Sequence, residues 1–78
     1  MRYEVFRDRR IQVIDIDDTN GEHVIEFVDP AIDESGTILA VYSSGDGWSD
    51  AQVSISPKVE SVSAEFVEWA LSVARRKM

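Results

Sequence analysis

The chain contains no cysteine, one histidine, two prolines and four glycines in 78 residues. Without cysteine there is no disulfide framework and no Cys-based zinc or redox site. A single histidine, His23, leaves no set for a His-based metal site or a catalytic triad. No apolar run approaches the roughly 18 residues of a membrane span, and the opening Met1-Arg2-Tyr3-Glu4 has no signal-peptide apolar segment. A cytoplasmic location is therefore expected. Also missing is positive charge: residues 11–57 hold no lysine or arginine. That stretch carries ten acids, Asp15, Asp17, Asp18, Glu22, Glu26, Asp29, Asp33, Glu34, Asp46 and Asp50. With +2 from residues 1–10 and +1 from residues 58–78 the net charge is −7. This distribution argues against direct nucleic-acid binding and for solubility, cation binding or a basic protein partner.

What is present is enough for one small domain. Apolar residues make up 44% of the chain, an ordinary globular share. A domain this size buries only about 60–65% of the surface of its unfolded chain, so a thin, two-layer core is expected. Strand-like runs come first, at residues 3–7, 11–17, 22–28, 37–43 and 50–56, with a polar turn at Asp8-Arg9 and stops at Asp29-Pro30 and Pro57. The period then changes. Ser63 reads as an N-cap, Val62 and Val67 as a hydrophobic staple, and Phe66, Val67, Trp69, Ala70, Leu71, Val73 and Ala74 as one apolar arc of a helix over 63–77. Acids open that helix and bases close it, in keeping with its macrodipole. The expected fold is α+β, an antiparallel sheet of four or five strands packed on one C-terminal helix.

Asn20-Gly21 predicts a two-residue hairpin turn. In that register Asp17 faces Val24, Ile16 faces Ile25, Asp15 faces Glu26 and Ile14 faces Phe27. Ile14, Ile16, Ile25 and Phe27 then share the helix-facing side. Asp15, Asp17 and Glu26 project on the other side among Val13, Val24 and Val28, with Leu39 and Val41 also beyond the reach of the helix. Opposed like charges destabilise a sheet by a few tenths to about 1 kcal/mol. A basic partner would relieve that repulsion.

Two motifs carry possible chemistry. Val13-Ile14-Asp15-Ile16-Asp17-Asp18-Thr19 resembles the first motif of haloacid dehalogenase-type phosphohydrolases, in which the first Asp is the nucleophile, the second an acid/base, and magnesium sits between them. The resemblance covers seven residues. The later Ser/Thr, Lys and acidic pair of that family belong to a parallel α/β domain far longer than this chain, and a hairpin replaces the helix that follows the motif. Residues 15–22 also resemble a calcium loop, but aligning Gly21 with the loop glycine puts Ile16 and Phe27 where oxygen donors are required. Neither motif makes an enzyme or an EF-hand, so no catalytic residue, metal site or cofactor is assigned. His23 is expected to pair with Asp18 across the hairpin.

Trp48, within Ser44-Gly45-Asp46-Gly47-Trp48-Ser49-Asp50, either folds back on the core or stands exposed as an anchor for a partner. In size, acidity and strand-then-helix order the whole chain resembles the small acidic inhibitors encoded by phages, especially anti-CRISPR proteins that occupy nucleic-acid-binding surfaces of CRISPR effectors. That resemblance implies a non-enzymatic protein-binding inhibitor, acting in the host cytoplasm against a basic, nucleic-acid-binding protein. The expected partner-binding residues are Asp15, Asp17, Glu22, Glu26, Asp29, Asp33, Glu34 and Trp48. A structural or assembly protein, or an antitoxin- or immunity-type partner, would show the same composition. A homodimer through the uncovered sheet face is a further expectation, motivated by β-branched residues on both sides of the strands.

Overall fold

The computed structural model describes residues 2–17, 21–29, 36–44 and 47–77. Five strands form one antiparallel meander: β1 (Arg2–Phe6), β2 (Arg9–Asp17), β3 (His23–Val28), β4 (Leu39–Ser43) and β5 (Gln52–Ile55), in the order β1-β2-β3-β4-β5. One helix, α1 (Ala64–Lys77), follows, and a short 3₁₀ turn at Gly47–Asp50 precedes β5. The α+β expectation holds. The element boundaries move by one or two residues. The first turn is Arg7-Asp8, with Phe6 opposite Arg9, and not Asp8-Arg9. β5 is shorter than expected because Gly47–Asp50 coils. No described helix is long and apolar enough to cross a membrane.

The helix starts as its sequence dictates. Phe66 N–H donates to Ser63 Oγ at 3.1 Å and Val67 N–H to Ser63 O at 3.1 Å, so Ser63 is the N-cap. Phe66, Ala70, Val73 and Ala74 are buried, with Val67, Trp69 and Leu71 packed beside them. Aromatic rings join helix to sheet. Trp69 lies 5.2 Å from Phe6, 5.8 Å from Phe27 and 5.8 Å from Phe66 between ring centroids, and Phe6 meets Phe66 edge-on at 5.4 Å. Such pairs add about 0.5–1.5 kcal/mol each beyond the area they bury. Since Phe6 belongs to β1 and Phe27 to β3, α1 lies over that side of the sheet. Arg7 ties the first turn to the helix start. It has a left-handed φ of 56°, lies 5.8 Å over the Phe6 ring and pairs with Glu65.

The β2–β3 register differs from the expected one by one residue. Asp17 lies opposite His23, Ile16 opposite Val24, Asp15 opposite Ile25, Ile14 opposite Glu26 and Val13 opposite Phe27. Five residues therefore separate Asp17 from His23, and Gly21 among them is left-handed, with φ 87°. Residues 18–20, including Asp18, lie outside the described residues. Because the side-chain period is two, a shift of one residue sends every β2 side chain to the opposite face. Ile11 and Val13 enter the core with Ile25, Phe27, Leu39 and Val41, while Ile14 and Ile16 leave it. The shift also puts Asp15 and Glu26 on opposite faces, which removes the like-charge opposition of the two-residue register.

At the start of β4 the ladder is irregular. Leu39 pairs with Phe27, and Ile38 N–H also donates to Phe27 O at 2.9 Å. Two residues thus oppose one, the arrangement of a β-bulge, and both side chains are buried. Leu39, Val41 and Val13, expected on the uncovered face, are core residues.

This register makes a prediction at two isoleucines of the same strand. Ile11→Ala should cost about 2–5 kcal/mol, since it opens a cavity in the core. Ile16→Ala, on a side chain 43% exposed, should stay within about 1 kcal/mol. Urea denaturation of the two variants measures the contrast, and equal losses would contradict the register.

Candidate functional site

Two surfaces carry the residues of interest. The first is the hairpin end of β2 and β3, on the helix-facing side of the sheet. Asp17 and His23 are direct cross-strand neighbours, and Asp15 is two residues back along β2 on the same face. His23 Nε2 donates to Asp15 Oδ1 at 2.5 Å and stands 3.8 Å from Asp17 Oδ1. A carboxylate accepts only, so the proton of that bond lies on Nε2. Asp15 thus partners His23, while the expected partner, Asp18, lies outside the described residues. One ligand atom from each of Asp15, Asp17 and His23 falls within 4.8 Å of the others. Both carboxylates are exposed and the imidazole is half-buried. Their chemistry is a hydrogen-bonded acid–histidine cluster at the end of a hairpin, on an all-antiparallel sheet and not on the parallel sheet of the phosphohydrolases. Glu22 is exposed beside it.

The expected acidic face therefore divides. Asp15, Asp17 and Glu26 do not project together: the two aspartates lie on the helix side and Glu26 on the open side. Asp29 is not available to a partner. It is buried at the end of β3, and Arg9 Nη1 donates to its Oδ2 at 2.6 Å. Asp33 and Glu34 lie outside the described residues. Trp48 is half-buried against the core, with the Arg75 guanidinium 5.8 Å from its ring, so it folds back and does not project as an anchor.

The second surface is the open sheet face. Reading across the strands, Ile16, Val24, Tyr42 and Gln52 form one row, and Ile14, Glu26, Ala40 and Ser54 the next. Tyr3, Gln12 and Val28 form a third, and Val5 and Arg10 a fourth. No described helix or strand packs on this face. Tyr3 is 51% exposed and Val5 65%. Tyr42 Oη donates to Gln52 Oε1 at 3.2 Å, and the Arg10 guanidinium sits 4.7 Å over the Tyr3 ring. Glu26 stands near the middle, half-buried, with Ile14 and Ala40 across the strands and Val24 and Val28 along its own. Its carboxylate makes no ion pair or hydrogen bond with another described residue. Sequence reasoning places Glu26, Val24 and Val28 on this face but misses Tyr3, Val5, Ile14, Ile16 and Tyr42.

No protein-family model, curated protein or solved structure matches this chain. The functional reading therefore rests on the two surfaces themselves.

The Arg9–Asp29 pair gives a direct check on the placement of Asp29. Arg9→Ala takes one charged donor away from a buried carboxylate, so it should lower stability by roughly 1–3 kcal/mol. Arg10→Ala, whose side chain is exposed over Tyr3, should change it by no more than about 0.5 kcal/mol. Equal effects in chemical denaturation would show that Asp29 is not held as described.

Proposed function

We propose that this chain is a non-enzymatic protein-binding domain that docks a basic partner on its open sheet face. The observation that supports this reading most is Glu26, a half-buried carboxylate ringed by Ile14, Val24, Val28 and Ala40 with no cation beside it among the described residues. A carboxylate among aliphatic side chains weakens the packing of any apolar surface that does not bring a cation to it. A partner with an apolar patch and one lysine or arginine at its centre satisfies both parts of the face. Tyr3 and Tyr42 supply the rigid, amphipathic contact area common at interface centres.

Asp15, Asp17 and Glu22, at the hairpin end, act at longer range. With a net charge of −7 the domain attracts a basic surface, and charges at the rim raise the association rate more than the final affinity. The narrower form of the proposal is an inhibitor that covers the basic surface of a nucleic-acid-binding protein, as the phage-encoded inhibitors do. The chemistry it requires of the partner, arginines and lysines exposed beside apolar ground, is what such a surface offers.

The test is capture from host lysate with immobilised wild-type domain and with Glu26→Lys, followed by kinetics on the protein recovered. The partner should be basic and should be lost with Glu26→Lys. Glu26→Gln should weaken binding by about tenfold or more, as expected for a lost charge-assisted hydrogen bond. Asp15→Lys with Asp17→Lys should instead slow association and flatten its dependence on salt. An affinity indifferent to Glu26 and to ionic strength would refute the proposal.

A further inference from the structure

The two edges of the sheet are built differently. β1 carries charge within the strand: Glu4 points to the helix side, half-buried, with Arg76 Nη2 3.8 Å from its carboxylate. An inward-pointing charge on an edge strand is a common guard against pairing with another chain. β5 has no such guard. Gln52, Val53, Ser54 and Ile55 hold no charge, no proline and no glycine, and all four are exposed. On the helix side, Val53 (42% exposed) lies opposite Val41 and Ile55 (47%) opposite Leu39, beyond the part of the sheet that α1 covers.

The backbone of β5 fixes what can be added to it. Ser56 N–H donates to Ile38 O at 2.9 Å. Alternate residues of a strand turn their polar groups to the same side, so Ser54 and Gln52 also turn theirs toward β4. Val53 and Ile55 turn their N–H and C=O groups outward, along an edge that no described strand pairs.

We infer that β5 is a self-association edge, on which a second copy of this chain pairs antiparallel through its own β5 about a two-fold axis at Ser54. This inference is independent of the open-face reading. Centred on Ser54, Val53 of one copy lies opposite Ile55 of the other, and the reverse pair follows by symmetry. Both residues have outward backbone groups, so each of the two pairs closes with two hydrogen bonds. The result is one continuous sheet of twice five strands. On the helix side the exposed Val53 and Ile55 of both copies come together as a single aliphatic patch, covering the largest apolar side chains left bare there. The charges at the ends also agree. Antiparallel pairing brings the segment before β5, with Asp50, toward the segment after β5 of the other copy, with Lys58. That contact forms twice, once at each end. Pairing centred on Val53 or Ile55 would instead set one hydrogen-bonded pair on the axis in place of the two that flank Ser54.

Sedimentation equilibrium across a concentration series is the test, with far-UV circular dichroism to confirm the fold. The wild-type chain should reach twice the monomer mass. Val53→Pro removes an N–H that faces outward in the monomer, and the dimer loses two hydrogen bonds, so dimerisation should weaken roughly 10- to 100-fold. Ser54→Lys, an exposed side chain that would face its own copy at the axis, should weaken it as well, and it serves should the proline disturb the strand. Asp50→Lys alone should weaken the dimer and Asp50→Lys with Lys58→Asp should recover it. Val24→Lys, on the open face, should leave it intact. A wild-type chain that stays monomeric at millimolar concentration overturns the inference. So does a dimer that survives Ser54→Lys, or one abolished by Val24→Lys, which would place self-association on the open face.

Discussion

The pairing of β2 with β3 decides what each surface of this domain is. With Asp17 opposite His23, Ile11 and Val13 face the helix, Ile14 and Ile16 face away, and Glu26 is parted from Asp15 by the thickness of the sheet. A one-residue slip would exchange all of these at once. The energetic preference is readable from the pairs. The observed register buries Ile11 and Val13 with Ile25, Phe27, Leu39 and Val41. It gives Asp15 a histidine partner in place of an opposed glutamate. The alternative would set two carboxylates side by side and leave Ile11 and Val13 outside the core.

The second constraint is geometric. A helix is about 10 Å wide, and five strands spaced about 4.8 Å apart make a wider sheet. Fixed by Phe6, Phe27, Phe66 and Trp69, α1 leaves β5 uncovered on its own side and the entire opposite face without a described helix. The one helix among the described residues cannot cover both faces. Two exposed apolar regions among the described residues, the open face and the β5 edge, follow from that shortage, and they differ in character. The face has tyrosines and a central carboxylate, which suits a foreign basic surface. The edge is uncharged and complementary to itself.

Much of this is legible in the residues. Period-two runs and turn signals locate all five strands, and the change to a 3.6-residue period with Ser63 at its head locates the helix. The charge gap from 11 to 57 is plain. The faces of β2 are not, because Asn20-Gly21 points to a two-residue turn while five residues separate Asp17 from His23, with Gly21 left-handed among them. The warning lies in the sequence: the two-residue register requires Asp15 to oppose Glu26, and local turn preference is weaker than the burial of a whole strand face. Asp29 misleads for a different reason. An acid before proline reads as a loop charge, and only the fold brings Arg9, twenty residues earlier, against it. The β-bulge that buries both Ile38 and Leu39 likewise has no sequence signal.

The central claim is the register, and the absence of native cysteine makes it directly measurable. Ile16→Cys with Val24→Cys places two thiols opposite each other on the open face. Ile16→Cys with Ile25→Cys places them on opposite faces of the sheet. Under mild oxidation the first double variant should form an intramolecular disulfide readily and the second should remain reduced, since bridging needs Cα atoms within about 7 Å and Cβ atoms directed at each other. Rapid closure in the second double variant and none in the first would restore the two-residue turn, return Asp15 and Glu26 to one face, and contradict the account given of both surfaces.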